Sequence, residues 1–156
     1  MTVRFEDALA RGGRLVYTCV GTSMLPMLRQ KRDLLIIEKK EGRLKKYDVP
    51  LYRRASGQYV LHRIVKVCAD SYVLCGDHQW RREYGVTDGQ IIGVLTAFVR
   101  DGREISVTDK GYRLYVRLWC GLFPLRAALV WCAAIPGRLK RRWKQAHERQ
   151  RRGKGI

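Results

Sequence analysis

From residue 15 to residue 107 the chain is a succession of short runs of strand character, at 15–20, 34–37, 49–53, 59–67, 72–74, 91–99 and 104–107, each ended by a turn or a charged stretch. Leu34-Leu35-Ile36-Ile37 is a continuous apolar run of strand length, and residues 59–67 set Val60, His62 and Ile64 on one face at period two. Asp101-Gly102 is the strongest hairpin signal, because both residues accept the positive φ that a tight two-residue turn demands. A chain of 156 residues is long enough for one domain with a real core. Residues 15–107 are therefore expected to form a compact, mostly β domain of six or seven short strands, with no internal repeat.

The ends differ in character. Residues 2–10 fit a short amphipathic helix with Val3, Phe5 and Leu9 apolar, stopped by Gly12-Gly13. Residues 112–135 are rich in Leu, Trp, Val and Ala but interrupted by Arg117, Pro124 and Arg126, and the charge-free stretch 127–136 is too short to cross a bilayer of about 30 Å as a helix. The expectation is one or two amphipathic helices broken near Pro124, then a basic tail over 137–154, with the domain boundary between residues 110 and 111. The formal charge of +18 is unevenly spread: residues 1–110 carry 20 basic and 13 acidic groups, 111–136 carry 3 and 0, and 137–156 carry 9 and 1. The net charges are +7, +3 and +8, so the basic excess describes an attachment device more than the body of the protein.

Trp119, Trp131 and Trp143 with flanking arginines make residues 112–154 a candidate contact with an anionic membrane surface, in competition with a helical cap packed on the β domain. Nucleic acid is disfavoured as a partner, since the tail interleaves no aromatic residue except Trp143. Residues 1–7 hold acids and no apolar core segment, so neither a signal peptide nor an N-terminal anchor is expected. Five cysteines without a CxxC pair argue for a reducing compartment, and Cys75 with His78 lacks the second pair of a tetrahedral metal site. These features suit a cytoplasmic protein or one peripheral at the membrane. They call for no metal and no organic cofactor, and leave the oligomeric state open.

Chemistry concentrates at Val20-Gly21-Thr22-Ser23-Met24-Leu25-Pro26-Met27-Leu28, where a hydroxyl is placed at a bend between a glycine and a proline. A serine becomes a nucleophile only with a base in reach. His62 is one of three histidines and lies 39 residues further on, far enough to return beside Ser23. A neutral imidazole there can take the serine proton and later return it to a leaving amine.

Gly21-Thr22-Ser23-Met24-x-Pro26-x-Leu28, Asp33, residues 35–37, Asp48-Val49, residues 59–65, Gly76-Asp77 and Ile91-Ile92-Gly93 together resemble the successive motif boxes of the signal peptidase I superfamily, which includes the self-cleaving LexA-type repressors. The resemblance covers about residues 15–100. It implies a coiled antiparallel β-sheet domain, with Ser23 as nucleophile, His62 as general base in place of the lysine of ordinary bacterial signal peptidases, and the Ser23 amide as an oxyanion donor. Asp77 would orient His62 or hold the local loop, with Asp88 a second candidate for the acidic role. The usual N-terminal membrane helix of the pattern is not expected here, and Gly21 stands where a serine is common. The second oxyanion donor is then open, with Thr22 a candidate.

The sequence thus leads to a mainly β protein with a C-terminal helical, basic appendage, acting as a serine endopeptidase on an extended peptide or precursor protein. The competing class is a non-catalytic peptide-binding module tethered by its basic tail to anionic membrane or nucleic acid.

Overall fold

A computed structural model of the chain describes residues 4–122 and residue 128. The basic tail expected over 137–154, the break expected near Pro124, and Trp131 and Trp143 lie outside the described residues.

Among the described residues the chain is mainly β. A short helix α1 (Phe5–Gly12) precedes nine strands: β1 (Arg14–Thr18), β2 (Leu34–Glu38), β3 (Pro50–Arg53), β4 (Tyr59–Leu61), β5 (Arg63–Val67), β6 (Tyr72–Cys75), β7 (Glu83–Val86), β8 (Ile91–Arg100) and β9 (Arg103–Ser106). A helix α2 (Lys110–Tyr115) follows and runs on as a wider, π-type stretch, Val116–Cys120. The Gly12-Gly13 stop acts as expected: Gly13 takes a left-handed φ of 67° and its amide closes on the Leu9 carbonyl.

Two antiparallel sheets result. The larger has the order β1-β2-β8-β3-β4 with β9 also on β8, and the smaller is β5-β6-β7. Strand β8 is the spine, pairing with β2 along one edge and with β3 and then β9 along the other. The larger sheet is strongly curled, a half-barrel. The β8–β9 hairpin turns on Asp101-Gly102 with φ of 49° and 80°, as the dipeptide required. The curl encloses a core that includes Leu28, Leu35, Ile37, Leu51, Leu95 and Phe98, while Tyr52, Ile64, Tyr72, Leu74 and Val86 form a second cluster shared with the smaller sheet. Phe5 of α1 sits edge-on to both Tyr17 of β1 and Tyr59 of β4, with centroids 4.9 and 4.8 Å away, so α1 bridges the two edges of the half-barrel.

Two features depart from the sequence expectation. The single strand expected over 59–67 is two strands, broken at His62, because the chain leaves the larger sheet there and enters the smaller one. His62 and Arg63 are consecutive yet 2% and 0% exposed. Neighbouring strand residues point to opposite faces, so both are buried only where each face is covered, which this crossover provides. Strand β7 is not foreseen: its residues 83–86 are Glu-Tyr-Gly-Val, with Tyr84 and Gly85 exposed, and Gly85 has a φ of 74°.

Candidate active site

The loop from Cys19 to Arg32 carries Ser23. Its neck is closed by the Cys19 amide donating to the Asp33 carbonyl (2.9 Å) and the Lys31 amide donating to the Cys19 carbonyl (2.8 Å). Inside the neck the Asp33 carboxylate receives the Arg29 amide and Nε, each at 2.9 Å, and Arg100 Nη2 at 2.7 Å. Burial alone would raise the Asp33 carboxyl, but these donors, Arg100 foremost, hold it below the usual carboxylate range. Buried Met24, Met27 and Leu28 anchor the loop in the core. Gly21, at a φ of 90°, supplies the bend, and Ser23 is left half-buried at the lip of the sheet.

His62 comes to the same place from the crossover. Ser23 and His62 line one cleft of about 380 Å³, together with Thr22, Gln58, Tyr59, His78 and Gln79 among others. The His62 ring is held from behind: its Nδ1 lies 3.3 Å from the Tyr52 hydroxyl and 3.3 Å from Glu83 Oε1. Glu83 is itself clamped by Arg54, whose Nε donates to Oε2 at 2.9 Å and whose Nη2 meets Oε1. With Nδ1 engaged by this group, Nε2 is the nitrogen left to serve the cleft.

Burial favours the neutral ring. Burial pulls the His62 imidazole below its ordinary value, the Glu83 carboxylate pulls it back, and Arg54 adds to the depression. Burial would raise Glu83, yet hydrogen bonds from Arg54 and Tyr52 outweigh it and keep the carboxyl below its usual range. Near neutral pH the site therefore pairs an anionic Glu83 with a neutral imidazole, the state a general base requires.

Asp77 sits behind the turn, against the residue that follows His62. It is 1% exposed and grips Arg63, accepting Nε at 2.9 Å and Nη2 at 2.7 Å, and it also receives the Tyr115 hydroxyl at 3.1 Å. Burial works against the Arg63 charge, but this carboxylate holds the guanidinium charged all the more firmly. Arg63 also donates to the Tyr47 carbonyl and the Tyr112 hydroxyl. The Asp77 side chain thus ties Arg63, the residue next to His62, to Tyr115. The carboxylate that reaches the imidazole is Glu83, and Asp88 is engaged by Tyr72 (2.7 Å) and Lys40 (2.9 Å).

The Gly76-Asp77-His78 turn joins the two halves of the site. The His78 amide donates to the Ser23 carbonyl at 2.8 Å, and a Cβ on residue 76 would lie 2.5 Å from that same oxygen. Only glycine lets the turn come this close. Since Asp77 holds Arg63, the neighbour of His62, a short path of contacts runs from Ser23 through His78, Asp77 and Arg63 to His62. The Cys75 thiol lies 3.4 and 3.2 Å from the Gln79 and Arg81 carbonyls and shares its one proton between them. The π-type continuation of α2 closes the turn from outside, where Trp119 Nε1 donates to the Asp77 carbonyl at 2.9 Å.

Glu83, Tyr52 and Arg63 were missed as site residues. The signal for Glu83 was slight, a lone acid behind Arg81-Arg82 in a chain with few carboxylates. Compared with known proteins, the chain matches no protein-family model, no curated protein and no solved structure.

Proposed function

We propose that the protein is a serine endopeptidase that cleaves an extended peptide through an acyl-enzyme on Ser23, with His62 as general base. The observation that carries this reading is the meeting of Ser23 and a buried His62 in one cleft, with the far nitrogen of the ring engaged by Glu83 and Tyr52. In the proposed sequence His62 Nε2 takes the Ser23 proton as Oγ attacks the scissile carbonyl. The same proton is then given to the leaving amine, and a water activated by the freed imidazole hydrolyses the ester. Glu83 favours the imidazolium formed in between, and the Ser23 amide, with Thr22 beside it, is the candidate oxyanion donor. No metal or organic cofactor enters the scheme.

The substrate would lie in the open side of the half-barrel. Among the described residues β1 and β4 end the larger sheet, β1 paired with β2 and β4 with β3, and neither has a strand on its other edge. The groove between them, about 750 Å³, is lined by Leu15 and Tyr17 on one side and Tyr59 and Leu61 on the other, and it shares Gly21 and Gln58 with the cleft. An extended peptide can add to such an edge through main-chain hydrogen bonds, its alternate side chains entering the groove. Small side chains before the cut follow from the resemblance to signal peptidases.

The test is cleavage of a peptide library by wild type, Ser23→Ala and His62→Ala. The reading requires turnover that both substitutions abolish with the fold intact; either variant at full turnover would remove the mechanism. A non-catalytic peptide-binding module would use the same free edges, and it would bind peptides equally well in all three proteins.

A further inference from the structure

We propose that the outer face of α2 and its π-type continuation, with the Lys45-Lys46 turn beside it, rests on the surface of an anionic lipid bilayer. The inner face of this helix is spent on the domain, where Tyr112, Val116 and Cys120 are buried in the core. The outer face is also apolar. Leu114, Leu118 and Leu122 recur every four residues and are 58%, 57% and 54% exposed, which makes one continuous leucine stripe. Scattered exposed leucines need no explanation, but an aligned stripe on a surface helix marks a contact.

The surroundings of the stripe select its partner. Arg113 and Arg117 interleave with the leucines, and with Lys45 and Lys46 they line a hollow of about 510 Å³ whose lining also includes the apolar Val49 and Leu95. Asp48 is the acidic residue of that lining, and its carboxylate accepts the Lys45 amide at 2.7 Å. Cations around an apolar stripe match a leaflet in which phosphates lie above acyl chains: leucines enter the acyl boundary and the basic groups meet the headgroups. Residues 123–156 bring ten more basic side chains against one acid, of the same sign as the face they follow. Among the described residues no helix is long and apolar enough to cross a membrane. Docking on the domain and contact with a membrane, weighed as competitors from the sequence, are compatible, since they use opposite faces of one helix. This inference stands apart from the proposed peptidase activity.

The test is co-sedimentation of the full chain with phosphatidylcholine vesicles, with and without phosphatidylglycerol, at low and high salt. It compares wild type with the triple variant Leu114→Gln, Leu118→Gln, Leu122→Gln, which leaves every basic residue in place. Wild type is expected to bind only the anionic vesicles and to keep part of its binding at high salt. The triple variant is expected to lose that salt-resistant part by about tenfold or more at unchanged melting temperature. Equal binding by the two proteins, or no binding by wild type, overturns the proposal. A lower melting temperature at unchanged binding would assign the stripe to the chain's own core, and a wild-type dimer dissolved by the triple variant would assign it to a second copy; each overturns the lipid assignment.

Discussion

Replacing Gly76 with alanine tests whether the Gly-Asp turn sets the position of the nucleophile. The added Cβ would lie 2.5 Å from the Ser23 carbonyl oxygen, where real Cβ atoms do not approach within 3.0 Å, so one of the two must move by at least 0.5 Å. The obstructing atom is backbone, held by the His78 amide at 2.8 Å, and cannot swing aside as a side-chain tip would. Overpacking of this kind costs about 1–3 kcal/mol of stability. A displacement approaching 1 Å at a reacting group can cost about 10²-fold in rate. Gly76→Ala is therefore expected to stay folded and to react at Ser23 with a fluorophosphonate about 10²-fold more slowly than wild type. Gly89→Ala is the control, since the nearest atom to its Cβ would be 4.0 Å away, and wild-type reactivity is expected. A folded Gly76→Ala protein that reacts at the wild-type rate would refute the coupling between turn and nucleophile.

The other expectations concern the groups behind the site. Glu83→Gln removes the charge that raises His62 against burial, so the acid limb of the labelling rate, already below the ordinary imidazole value of 6.5 in wild type, should move to still lower pH while the plateau falls about 10²-fold or more; an upward or absent move in a pH profile counts against the role of Glu83. Asp77→Ala strands a buried guanidinium and should cost about 3–5 kcal/mol in a denaturant melt, whereas an unchanged midpoint would mean the Arg63–Asp77 pair is not structural. Protonation of His62 also links to stability. The unfolded chain takes the proton near 6.5 and the folded chain only at lower pH, so stability should fall as pH drops from 6.5 towards the folded value. Melts of wild type and His62→Asn at pH values on either side of 6.5 should show that part of the loss only in wild type.

Much of this was readable because it is local chemistry. Gly13, Asp101-Gly102 and the apolar run at 34–37 each carry their own structural instruction, and the structure follows them. The curled antiparallel sheet expected from the motif boxes is present as well. The crossover at His62 was not legible. Its cause is the burial of two consecutive polar residues between separate sheets, and their partners, Glu83 and Asp77, arrive from 21 and 14 positions away. The partner of Asp77 is a matter of three-dimensional approach: Arg63 is the next residue after His62, and a single strand would have pointed it the other way. Glu83 sits on a strand too short and too exposed to announce itself.

The most direct test of the account is labelling of the purified protein with a serine-reactive phosphonate, followed by peptide mapping, in parallel with the His62→Ala variant. An adduct on Ser23 that disappears in the variant is expected. A folded protein in which Ser23 stays unmodified by probes of several chemistries, or is modified equally without His62, would contradict the claim that this cleft holds an activated nucleophile.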